Sequence, residues 1–214
     1  ISKSAFSDTL IETIYIPSSV TYIGSYAFAF CELLVKIEIP PDSELKTIGK
    51  YAFYCSSIES ISIPSNVVNI EEFAFYSCPE LKHVEIQKNS KLSLINENAF
   101  SETQIDNIFI PDSVKQICVN AFGACKHLKN VEIGLDSELQ IIEKEAFSNT
   151  LVESILIPTN VSELREGWCS NTSRLFNVTI MPNNKYFKNY NGNVKILIGR
   201  SDPNDEEYKN LIFV

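Results

Sequence analysis

Six cysteines, two histidines and a few paired carboxylates are the side chains of this 214-residue chain most able to do chemistry. Zinc would want Cys-x-x-Cys or a comparable His spacing, and the nearest approach is Cys118 with Cys125. Cys31, Cys78 and Cys125 stand 47 residues apart, each three residues after a phenylalanine. If that interval is two turns of a stacked repeat, these thiols lie roughly 10 Å from one another, past the ~7 Å limit for a disulfide. They read as small buried thiols that fill a core. Cys55 falls in the intervening turn, where a bridge to Cys31 or Cys78 stays open, and Cys118 and Cys169 are off the pattern. A nucleophile needs a base and an orienting acid, whereas His83 reads as a surface rung and His127 as a loop residue. Glu71-Glu72 and Glu206-Glu207 fall in linkers and turns, where solvated charge is the default. Seven glycines form no phosphate-cradling loop. No catalytic residue, metal ligand or cofactor is therefore expected, and the chain does not read as an enzyme.

Composition narrows the partners. Acidic residues outnumber basic ones 27 to 18, for a net charge of -9, so the concentrated basic face that binds nucleic acid is not expected. No run approaches the ~18 apolar residues that span a bilayer, and Ile1 to Phe6 lacks the pattern of a secretory signal. A hydrophobic content of 44% supplies ample core.

The elements that position these residues repeat. Ala-Phe recurs at Ala5-Phe6, Ala27-Phe28, Ala52-Phe53, Ala74-Phe75, Ala99-Phe100, Ala121-Phe122 and Ala146-Phe147, at spacings that alternate 22 and 25, and Gly167-Trp168 is taken for the eighth slot. Between these pairs runs Ile-x-Ile-Pro, as in Ile14 to Pro17, Ile61 to Pro64 and Ile108 to Pro111, with variants beginning at Val84, Val131 and Val178. Residues 17–63, 64–110 and 111–157 align without a gap as a 47-residue super-repeat of one shorter and one longer unit. Units this short cannot bury their own apolar side chains and must stack on a shared core. Ile58 to Ile63 alternates apolar and polar residues, as a strand with one buried face does, and the following Pro ends it. Val20, Ile23, Ala27 and Phe28 suit either a turn of helix or a short irregular strand on the opposite side. The fold expected is a solenoid of about eight coils of 22–25 residues, with a parallel sheet on one face. Residues 182–214 depart from the repeat: Asn183 to Phe187 and Asn191 to Asn193 are turn-rich, while Val194 to Ile198 and Leu211 to Val214 read as short strands. They form an irregular unit that caps the stack or links it to further repeats.

The Ile-Pro element, the Val-x-x-Ile-Gly stretch of Val20 to Gly24, and Ala-Phe followed by Cys, as in Phe28 to Cys31 and Phe122 to Cys125, resemble the BspA-like leucine-rich repeats, the Treponema pallidum type. The resemblance covers residues 1–181 and carries strongly for fold. That family occurs in surface proteins of bacteria and of parasitic protists such as trichomonads and Entamoeba. It implies a non-catalytic protein-binding module that works through the strand-lined concave face, as a cell-surface or secreted adhesin. The alternative is an intracellular scaffold for signalling or cytoskeletal partners, which cysteines without an obvious bridge pattern favour mildly.

Three columns of outward residues follow if strands stack in register. One reads Glu12, Val35, Glu59, Lys82, Asp106, Lys129, Glu153, Phe176, with charges that alternate along its middle. The second, Tyr15, Glu38, Ser62, Glu85, Phe109, Glu132, Leu156 and Thr179, sets apolar groups among acids, a mixture that protein contacts use. The third is Thr13, Lys36, Ser60, His83, Asn107, Asn130, Ser154 and Asn177. The last two form the candidate protein-binding face. Its expected partner is a host extracellular-matrix or cell-surface protein, or a second copy, since open ends of a parallel stack are compatible with a weak homo-oligomer. Acceptor triplets at Asn160, Asn171 and Asn177 would carry glycans on an extracellular protein.

Overall fold

The computed structural model describes residues 1–190, 193–199 and 210–213. Asn191, Gly192, Glu206, Glu207 and Val214 lie outside the described residues.

Two parallel sheets run side by side along a solenoid, and the chain visits them alternately. With strands numbered in chain order, the first sheet has eight: β1 (Thr13–Tyr15), β3 (Lys36–Glu38), β5 (Ser60–Ile63), β7 (His83–Ile86), β9 (Asn107–Ile110), β11 (Asn130–Ile133), β13 (Ser154–Ile157) and β15 (Asn177–Ile180). The second has seven strands of two residues each: β2 (Tyr22–Ile23), β4 (Thr47–Ile48), β6 (Asn69–Ile70), β8 (Leu94–Ile95), β10 (Gln116–Ile117), β12 (Ile141–Ile142) and β14 (Glu163–Leu164). Neighbours in each sheet are one turn apart in sequence. In the first sheet the period-two pattern works as expected, because Ile61 and Ile63 are buried while Ser60 and Ser62 face outward.

Among the described residues there is no α-helix. The helical option for the Val20 to Phe28 stretch is thereby corrected in favour of a short strand followed by tight turns. The backbone explains it. Each turn places two residues in the left-handed region, one just before the Ala-Phe pair and one two residues after the Phe, as at Tyr51 (φ 58°) and Cys55 (φ 53°). Two such residues so close together cannot be helical, and they turn the chain through the corner. The ladder then continues across the corner, where each Phe amide donates to the Ala carbonyl of the next turn, as Phe53 does to Ala74 at 2.8 Å.

The same bonds correct the eighth slot. Phe147 N–H donates to the Trp168 carbonyl, and Gly167 (φ 68°) holds the left-handed position. Trp168 therefore stands where an Ala is usual, and Cys169 where a Phe is usual.

One core runs the length of the stack. Phe6, Phe28, Phe53, Phe75, Phe100, Phe122 and Phe147 form a column of stacked rings 5.1 to 5.6 Å apart. Trp168 ends it edge-on at 6.5 Å. Each buried ring contributes on the order of 1.5–3 kcal/mol, with a further share from ring–ring contact. Beside the rings, Cys31, Cys78 and Cys125 donate to the carbonyls of Phe6, Phe53 and Phe100. The intervening turns put a hydroxyl there instead: Thr9, Ser56 and Thr103 lie 3.3 to 3.6 Å from those sulfurs.

After β15 the chain changes direction. β16 (Phe187–Tyr190), β17 (Asn193–Gly199) and β18 (Asn210–Phe213) form an antiparallel sheet. The expected strands at Val194 to Ile198 and from Leu211 fall within β17 and β18. Asn184 ties this unit back to the last turn by donating to Pro158 O and Val161 O.

Candidate functional site

The registers are those expected from column counting: Thr13 pairs with Lys36, Ser60 with His83, Asn107 with Asn130, and Ser154 with Asn177. The second column aligns likewise, with Tyr15 on Glu38, Ser62 on Glu85, Phe109 on Glu132 and Leu156 on Thr179. Tyr15 is 59% exposed, but Phe109 and Leu156 are half-buried, sheltered between their neighbours on the sheet. Asn130 Nδ2 donates to Asn107 Oδ1 at 2.6 Å, which joins two turns on the outward face.

The charged column behaves differently from a cross-turn ladder. Lys82 pairs with Glu80 of its own turn at 3.5 Å, and Asp106 lies 3.9 Å from His83 Nδ1. Such exposed pairs contribute only about 0–1 kcal/mol. Phe176 closes this column 56% exposed.

Pairing along the first sheet alternates between complete and partial. β5–β7, β9–β11 and β13–β15 match over four residues, whereas β3–β5, β7–β9 and β11–β13 match only at the first. The partial pairings are those of the strands followed by the longer loop: the connection after β3, β7 and β11 is two residues longer than its counterpart on the alternate turns. Long and short loops alike bond back to the preceding turn, as in Lys91 N–H to Ser65 O at 3.0 Å and Lys115 N–H to Ser93 O at 2.8 Å. Between β7 and β9 the parting opens a groove of about 620 Å³, lined by Glu85, Lys88, Asn107, Phe109, Asn130 and Glu132 among others.

A second aromatic surface lies at the corner of the turns and is invisible to the column argument. Tyr26, Tyr51 and Phe73 stack at 4.8 Å, and Phe30, Tyr54 and Tyr76 pack beside them at 5.0 and 5.7 Å. All but Phe30 are half-buried. Lys50 lies 5.6 Å from the Tyr51 ring and pairs with Glu72, whose hydrogen bond holds the lysine pKa above its usual value. Tyr76 donates to Glu102 at 2.8 Å, which pushes its pKa up to about 12. The signal in the sequence was the run of aromatics flanking three successive Ala-Phe pairs.

All six cysteines are free thiols. Cys31, Cys78 and Cys125 are buried as expected, and desolvation pushes Cys78 up to about 12 and Cys125 to about 11. His83 and His127 are exposed. Among the described residues no group of three or more His, Cys, Asp or Glu is placed to hold a metal, and no helix is long and apolar enough to cross a membrane. Of the acceptor asparagines, Asn160 and Asn171 are exposed and Asn177 is half-buried on the sheet. Asn160 Nδ2 donates to Ser137 O at 2.8 Å, which ties the long loop to the next turn.

Comparison with known proteins gives the same architecture. The chain matches the model of the BspA type leucine rich repeat region in six copies, over residues 1–129 and 93–192. It is similar to the crystal structure of the pneumococcal vaccine antigen PcpA, with 24% identity and a TM-score of 0.66 over 88% of this chain and 44% of that one. A leucine-rich repeat protein from Bacteroides ovatus is 25% identical with a TM-score of 0.62, covering 84% of this chain and 58% of that one. The T. pallidum leucine rich repeat protein is 29% identical with a TM-score of 0.57, covering 62% of this chain and 61% of that one. The chain thus spans between 44% and 61% of the length of these three. No curated protein matches it. Family match, in-register parallel sheets and a continuous phenylalanine column agree, and the chain belongs to the BspA-type leucine-rich repeat family.

Proposed function

We propose that this chain is a protein-binding module of a cell-surface or secreted protein, an adhesin that engages a host matrix or cell-surface protein through its first sheet. The observation that carries the reading is the outward face of β1 to β15. There Tyr15, Phe109 and Leu156 share one outward column with Glu38, Ser62, Glu85 and Glu132, a mixture of apolar and charged groups on a rigid support. Similarity to PcpA, named as a vaccine antigen, supports a surface location. Leucine-rich repeats in general act by binding proteins, which supports the reading. In this reading β16 to β18 cap the stack or join it to further repeats.

The test is biolayer binding of the purified chain to host-matrix proteins and cell-surface extracts. Saturable binding that is lost on combined substitution of Tyr15, Phe109 and Leu156 by Ser is expected. Binding that survives this triple change overturns the assignment to the sheet face.

The six free thiols favour a second reading, an intracellular scaffold in a reducing compartment. Antibody staining of the full-length protein on intact against permeabilised cells separates the two.

A further inference from the structure

We propose that the groove between β7 and β9 receives one arginine side chain of the docked protein, its guanidinium stacked on Phe109 and held between Glu85 and Glu132. The proposal rests on the reading that the first sheet is the binding face, and it supplies the chemistry of the contact.

Three observations converge. The groove of about 620 Å³ exists because β7 and β9 are joined only at His83 and Asn107. Beyond that pair the strands part and leave Phe109 half-buried beside the opening. Glu85 and Glu132 stand on the strands either side of Phe109, in the same outward column. Both are exposed, and neither carboxylate has an ion-pair or hydrogen-bond partner among the described residues. Their backbones are at least roughly 10 Å apart, two strand spacings, which leaves room for one planar cationic head between two carboxylates.

Guanidinium is the cation that fits best. It stacks on an aromatic face while its N–H groups bridge to carboxylates, and it sheds water more readily than an ammonium group. The two other partings lack this combination. Between β3 and β5 the column offers Glu38, already paired with Lys36, and Ser62. Between β11 and β13 it offers Glu132 beside Leu156, with Thr179 beyond. The net charge of -9 adds a long-range pull on a basic partner. Lys88, on the loop after β7, also lines the groove and opposes a cation there.

Two probes that differ only in charge test the idea: N-acetyl-arginine amide and its neutral citrulline counterpart, titrated into the isotopically labelled full chain and followed by amide chemical shifts. Shifts centred on Glu85, Phe109 and Glu132 with the arginine probe alone are expected. Glu85→Gln and Glu132→Gln should each weaken binding roughly two- to five-fold, Phe109→Leu by a similar factor, and Lys88→Gln should tighten it. Folding of each variant is checked by its amide spectrum, and the two glutamine variants keep the test valid if Phe109→Leu unfolds. Equal shifts with citrulline, indifference to both glutamine variants, or binding only after Lys88 is replaced would each overturn the proposal; the last would make the groove the seat of the chain's own lysine. If the arginine probe fails while protein binding is still lost in the triple sheet variant, the groove falls and the binding face stands. If the probe succeeds and that triple variant still binds protein, the groove is a cation site apart from the docking surface.

Discussion

The thiol of Cys78 donates to the carbonyl of Phe53 at 3.0 Å, across one turn of the stack and inside the core. A cysteine placed this way is a structural donor. Burial is the largest cause of its raised pKa, about 12 against a reference of 9.0. A thiol kept neutral in the fold is a poor nucleophile. In native protein, a disulfide reagent such as dithionitrobenzoate should modify the half-buried Cys55 first and leave Cys78 and Cys125 untouched until the chain unfolds. Mass mapping of the labelled peptides checks the order.

The same shifts set a pH dependence. The folded pKa values of Cys78, Cys118, Cys125 and Cys169 all lie above the reference, at about 12, 11, 11 and 12. Folded protein therefore holds protons that the unfolded chain loses, and stability falls as pH rises. The contribution is intact below about pH 9 and is lost between there and about pH 12. Urea midpoints measured from pH 8 to pH 11 should decline, and Cys78→Ser should flatten the decline.

Glu145 sits at the left-handed position before Ala146-Phe147 with φ 59°, where the next turn carries Gly167 at φ 68°. A side chain there costs about 1–2 kcal/mol, part of which glycine returns through its own flexibility when unfolded. Glu145→Gly should stabilise by about 0.5–1 kcal/mol in urea melts, and Gly167→Ala should destabilise by a similar amount. A Cβ at Gly167 would meet nothing closer than 3.7 Å, so strain and not crowding sets that cost.

Phe100 is stacked between Phe75 and Phe122 at 5.1 and 5.6 Å and is fully buried. Phe100→Ala should cost about 3–5 kcal/mol. Because each turn touches only its neighbours, hydrogen exchange should show the loss greatest in the turns on either side. Uniform loss along the whole stack would contradict that picture.

Asn160 is an acceptor asparagine that also anchors a loop through its bond to Ser137 O, as Asn66 does with Ser43 O at 3.0 Å two super-repeats earlier. Asn160→Ala should lower stability by about 1 kcal/mol, while Ser162→Ala, which removes the same acceptor triplet and only the longer bond to Gln140 O at 3.4 Å, should cost less. Thermal melts of the two variants, made without glycans, distinguish the anchor from the sequon.

Much of the molecule was legible in the residues alone, because a solenoid turns sequence period directly into space. Recurrence of Ala-Phe and Ile-x-Ile-Pro determined the stacking, the buried column from Phe6 to Phe147, the parallel register and the composition of the outward face. Thr9 and Thr103 were equally periodic and went unread, since a hydroxyl beside a thiol says nothing until both are seen to share one carbonyl, Phe6 O for Thr9 with Cys31 and Phe100 O for Thr103 with Cys125. What the tertiary structure decided is what depends on backbone angles and on loops competing for neighbours. Left-handed corners held by Tyr51, Phe73 and Glu145 leave no mark in residue type. The slot of Trp168 rested on which amide bonds its carbonyl. Period alone predicts a flat sheet, whereas the fold joins β7 to β9 only at His83 and Asn107 and leaves a groove beside Phe109, because pairing beyond the first residue depends on how each loop sits against its neighbours.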